Sequence, residues 1–156
     1  IFAANTLPIK ENYVDTGICV NGRKGENEYL AQHLIGNRKL RFPSYIQASD
    51  LKLEQDDNAP DGLSFALRKN AQALYVPIVK QSGYFLSENI DKKTGFPKKL
   101  GEGERFLSGI CSPLSGVCAN GDGHLGADGG LLSYSILDGR VVIVRAPSAR
   151  AKNSRN

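Results

Sequence analysis

At 156 residues the chain is most simply one domain, long enough to bury a hydrophobic core without covalent staples. With 40% hydrophobic and 23% charged residues its composition is that of a globular protein, which excludes wholesale disorder. The longest apolar run, Val141–Val144, is far too short to cross a bilayer as a helix. The formal charge of +4 could point to a polyanionic partner, but its distribution argues otherwise. From Arg140 onward there are five basic residues (Arg140, Arg145, Arg150, Lys152 and Arg155) and no acid, leaving fifteen basic against sixteen acidic residues elsewhere. The expectation is a near-neutral domain over residues 1–146 followed by a basic, flexible tail over 147–156, with nucleic acid disfavoured as a partner. The chain begins at Ile1 and contains no methionine, which reads as a processed product whose signal or anchor has been removed.

In chain order, residues 1–11 form an arm, and Tyr13–Val20 is strand-like and ends at the turn signal Asn21-Gly22. A helix follows. Asn27 can cap it, Leu30, Ala31, Leu34 and Ile35 fall on one face, and Gly36-Asn37 can end it. His33 lies beside that apolar face and reads as a boundary histidine, with no partner at ligand spacing. Short strands are expected over Tyr45–Ser49, Leu51–Leu53 and Leu63–Leu67, the last with Leu63, Phe65 and Leu67 on one side. Ala73–Val79 reads as a strand that Pro77 confines to an edge or breaks. Gly83–Leu86 is a further strand, and the Lys/Gly/Pro-rich residues 91–104 read as an exposed loop. Leu131–Leu137 and Arg140–Arg145 flank Asp138-Gly139, the signature of a two-residue hairpin. The fold class expected is therefore α+β, mostly antiparallel sheet with one helix in the N-terminal half and a C-terminal Asp-Gly hairpin.

Chemistry concentrates in a few places. Cys111 and Cys118 enclose six residues including Pro113 and Gly116, a spacing that favours a disulfide-closed loop and an extracytoplasmic setting; the alternative is three reduced thiols in a cytosolic protein. Cys19 would then be a buried thiol. Asp15-Thr-Gly17 has the form of an aspartic protease triplet, which needs a second copy facing it and would require a dimer. Asn120-Gly-Asp-Gly-His-Leu125 has the form of a calcium-loop centre, with Asn120, Asp122 and Asp128 as candidate oxygen ligands and Cys118 where a further carboxylate normally sits. Cys118 and His124 could pair as nucleophile and base. A serine nucleophile elbow and a phosphate-binding glycine loop are both missing, and two histidines support no conventional zinc site.

Leu125-Gly-Ala-Asp-Gly129 is similar to the loop in which major pseudopilins hold calcium, and Leu132–Val141 is similar to the closing hairpin strands of minor pilins. The chain thus resembles the soluble heads of type IV pilins and pseudopilins. That resemblance implies a helix, of which Asn27–Leu40 would be the tail, packed on an antiparallel sheet, with Cys111–Cys118 as a surface clip. It also implies assembly with like subunits in a cell-surface filament. The reading that results is an extracellular or periplasmic structural or binding subunit, pilin-like or adhesin-like, that works through its β-rich surface. Two alternatives stand beside it. One is a small secreted hydrolase using Asp15 or the Cys118/His124 pair; the other is a calcium-stabilised binding module.

Overall fold

The computed structural model describes residues 14–59, 62–120 and 123–129. It is α+β: one helix among the described residues, set against a mostly antiparallel sheet. In chain order the elements are β1 (Val14–Val20), α1 (Glu28–Ile35), β2 (Ser44–Gln47), β3 (Leu51–Gln55), β4 (Leu63–Leu67), β5 (Ala73–Tyr75), β6 (Gly83–Phe85), β7 (Arg105–Ser108), β8 (Leu114–Ala119) and β9 (Leu125–Gly129). Seven strands form one sheet in the order β5-β2-β1-β8-β9-β7-β6, and β3 and β4 make a separate hairpin. All pairings are antiparallel except β7 with β9, where Leu107 lies opposite Leu125.

The period-2 alternation of the central strands feeds two cores. Ile18 and Val20 of β1, Ile46 of β2 and Leu114 of β8 point to one face, where α1 covers them with Leu30, Ala31 and Leu34. Cys19, Tyr45 and Val117, on the alternate positions, point to the other face. There they meet Phe85 of β6, Leu107 of β7 and Ala127 of β9, so strands from both ends of the sheet wrap around one core. Asn21, just past β1, is buried but satisfied: its N–H and side-chain amide donate to the carbonyls of Pro113 and Ser112, each at 3.0 Å.

Helix α1 begins and ends where the sequence suggests. Asn27 takes a left-handed conformation (φ 67°) and does not bond the first turn through its side chain, while the N–H of Gly36 returns to Gln32 O at 2.9 Å. Pro77 breaks its strand as expected: β5 stops at Tyr75 at the sheet edge, and Pro77–Lys80 turn into a short 3-10 helix.

Three stretches differ from the sequence reading. Residues 114–117, expected to lie within a loop closed by Cys111 and Cys118, belong to β8, and 125–129, expected in a polar glycine loop, form β9. Their Gly/Ser-rich sequences carry little strand propensity; β8 is a strand because β1 and β9 flank it and consume its backbone bonds. The segment 91–104 is not simply an exposed loop, since Phe96 is buried edge-on against Tyr45 at 5.0 Å. The Asp138-Gly139 hairpin and the tail 147–156 lie outside the described residues.

Candidate functional site

The face of the sheet that α1 covers has a second half, on β9, β7 and β6, where outward side chains make a different surface. Alternation sends Phe85 and Leu107 into the core and leaves Tyr84 and Phe106 pointing away, directly opposite one another. Their rings meet edge to face at 5.0 Å between centroids, and Phe106 meets His124 at 6.0 Å. Tyr84 is 55% exposed, Leu86 beside it 38%, and His124 is exposed, so an aromatic strip runs across β6 and β7 to the turn ahead of β9. A tight turn before β9 orients the histidine. His124 N–H donates to Asn120 Oδ1 at 2.9 Å, Asn120 N–H donates to His124 O at 3.1 Å, and Gly123 (φ +79°) takes the left-handed position. The far edge of β6 is closed, because Gly101 N–H donates to Tyr84 O at 2.8 Å.

The same region gathers several residues singled out in the sequence. Backbone register sets Asp15 opposite Cys118 across β1 and β8, and Cys118 opposite Gly126 across β8 and β9, two residues after His124. Asp15 and Cys118 thus occupy neighbouring strands, and His124 lies in the turn just ahead of the next one. Asp122 lies outside the described residues, as do the side chains of Asp15 and Asp128. Of the three calcium candidates only Asn120 is described in full, and its side-chain oxygen already accepts the His124 N–H. Among the described residues no group of three His, Cys, Asp or Glu side chains is placed to hold a metal ion.

No disulfide is present among the described residues. Cys111 is exposed ahead of β8 and Cys118 is half-buried near its end. Leu114 and Cys118 are separated by about 13 Å of extended strand, so a bridge would require Cys111 to double back along β8. Cys19 is 1% exposed, and burial pushes its thiol up to about 12.

A second polar cluster joins α1 to the β3–β4 hairpin, with no local spacing among its residues to announce it. His33 Nε2 lies 3.1 Å from Glu54 Oε1 and its Nδ1 lies 3.5 Å from Asp56 Oδ2. The Tyr29 hydroxyl donates to both Asp56 oxygens at 3.1 and 2.9 Å, and Lys52 Nζ reaches Glu54 Oε2 at 3.0 Å. The His33 contact, with Lys52 second, holds the Glu54 carboxyl below its ordinary value. For Asp56 the largest single influence is burial, which works upward. It is outweighed chiefly by the Tyr29 hydroxyl and the Asn58 N–H, with the His33 charge adding to them, so the net shift is downward. The Asp56 bond, followed by burial and the Asp56 charge, raises the Tyr29 phenol. Ser64 is fully buried, and its Oγ meets no partner in hydrogen-bonding geometry among the described residues. Each ring nitrogen of His33 faces a different carboxylate, so the cluster converges on no common point where a ligand atom could sit. It acts as a clasp between helix and hairpin.

Comparison of the chain with family models, curated proteins and solved structures finds no match to any of the three.

Proposed function

We propose that the chain is an extracytoplasmic structural or binding subunit, pilin-like or adhesin-like, that assembles with copies of itself or with related protein subunits through the uncovered half of its sheet. The observation that supports this reading is the Tyr84–Phe106–His124 strip. Amphipathic aromatic side chains present large contact area at small entropic cost, which is why they are enriched in interfaces. Tyr84 and Phe106 stand on the hydrogen-bonded strands β6 and β7, and His124 is held in the turn ahead of β9 by its paired bonds with Asn120, so the strip is ordered before any partner arrives. Sedimentation velocity over a concentration series tests it. The wild-type chain should associate, and Tyr84→Ser combined with His124→Ser should return it to monomer with unchanged melting. A wild-type chain still monomeric at about 1 mM, where a contact of only about −4 kcal/mol would be visible, overturns self-assembly.

A second reading has one specific observation behind it, the register that sets Asp15 opposite Cys118 on adjacent strands and Cys118 opposite Gly126, two residues after His124. It would make the chain a small secreted hydrolase with Cys118 as nucleophile and His124 as base. His124→Ala should then slow alkylation of Cys118 at neutral pH; an unchanged rate removes this reading. Calcium held by Asn120, Asp122 and Asp128 is a further proposal, and a melting temperature indifferent to calcium and to chelator would end it.

A further inference from the structure

At the opposite end of the sheet from the aromatic strip, the fold assembles a basic corner from two stretches that contain no acidic residue, 29–49 and 62–87. The connection between α1 and β2 carries Arg38, Lys39 and Arg41, and the turn between β4 and β5 carries Arg68 and Lys69. All five are exposed. The two connections touch: the Arg38 guanidinium donates to Arg68 O at 3.3 Å and to Ala71 O at 3.4 Å. Arg68 Nε donates to Leu51 O at 3.0 Å, and the Arg41 guanidinium lies 3.9 Å over the Tyr75 ring. These contacts fix three guanidinium stems while leaving further N–H donors on each group. None of the five is in an ion pair among the described residues, whose salt bridges involve His33 and Lys52 instead. Asp50, the carboxylate bonded at this corner, is held by the Gln72 N–H at 3.2 Å.

We infer that this corner is a docking surface for an acidic, sulfate-bearing polysaccharide. Five adjacent cations without acidic partners in their own segments repel one another and are relieved by a polyanion, and guanidinium groups suit the paired oxygens of sulfate and carboxylate. Two observations favour a glycan over other polyanions. The aromatic ring at the corner, Tyr75, has a face covered by Arg41, so it is poorly placed as a platform for stacking single-stranded bases. Leu40, the apolar residue among the basic ones, is half-buried rather than offered to a bilayer. The surface is independent of the aromatic strip, so the failure of one reading leaves the other standing.

The test is binding of the full chain to heparin, measured by calorimetry at several salt concentrations. Lys39→Glu with Lys69→Glu is compared with Lys98→Glu with Lys99→Glu, an equal charge change beside the β6 edge; neither lysine pair has a side-chain bond among the described residues. The corner variant should bind at least about tenfold more weakly, with a salt slope shallower by about two. The control should bind within about twofold of wild type. Lys39→Gln with Lys69→Gln provides a second variant should the charge reversal disturb the Asp50 contacts, and an intermediate loss is expected. Equal losses in the corner and control variants, or no loss at the corner, overturn the proposal. Tighter binding through the same lysines to single-stranded DNA, or to vesicles rich in anionic lipid, at equal charge concentration overturns the choice of glycan.

Discussion

Replacing Gly103 by alanine tests how the β6 edge is closed. An added Cβ would stand 2.0 Å from Phe85 O, 2.1 Å from Phe85 C and 2.7 Å from Leu86 N. All three atoms are backbone, so no side-chain rotation relieves the overlap. Either residues 97–103 withdraw from β6 or β6 shifts within the sheet. Overpacking in a close-packed interior costs about 1–3 kcal/mol, and three backbone clashes place this change at the upper end of that range. For a chain of this length that corresponds to a melting temperature lower by roughly 6–12 °C. Withdrawal would also lose the Gly101 N–H bond to Tyr84 O and leave an open strand edge beside the aromatic strip. Urea titration gives the stability change, and amide exchange at Gly101 reports the edge directly. A Gly103→Ala protein within about 0.5 kcal/mol of wild type, with Gly101 still protected, would refute the close approach and with it the account of how β6 is sealed.

Ser64→Ala should leave stability unchanged or raise it by about 1 kcal/mol, because it removes a buried hydroxyl that meets no bonding geometry; a loss at pH 7 that disappears in acid would mean the hydroxyl does donate to Asp56. Glu54 and Asp56 both titrate lower when folded than when unfolded. Their contribution is therefore complete above the unfolded carboxylate range, near pH 4, and is lost as the pH falls through the folded values. Equilibrium unfolding from pH 7 to pH 2 should show that loss, and a His33→Leu protein should show less of it. Cys19, buried with its thiol at about 12, should resist iodoacetamide at pH 8 in the native protein and react only in denaturant, as mass spectrometry would read. The same labelling with and without reductant would settle whether Cys111 and Cys118 are bridged.

Much of the local structure was legible from the order of the residues. The apolar spacing Leu30-Ala31-Leu34-Ile35 with Gly36 beyond it defines α1, Asn21-Gly22 ends β1, and Pro77 stops β5, because each is decided by backbone sterics and periodicity within a few residues. Tyr84 could also be read, since the alternation of Tyr84 with Phe85 puts one ring outside and one inside.

Only the tertiary structure decided the rest, because it depends on neighbours distant in the chain. Residues 114–119 and 125–129 lack strand propensity of their own and become strands through the ladders that neighbouring strands offer them. His33 meets carboxylates 21 and 23 residues away, a pairing without helical or strand spacing to announce it. The basic corner is diluted in the sequence across segments some thirty residues apart, where its cations look like ordinary solvated loop residues. Folding concentrates them, since electrostatic potential depends on distance in space and not on order along the chain.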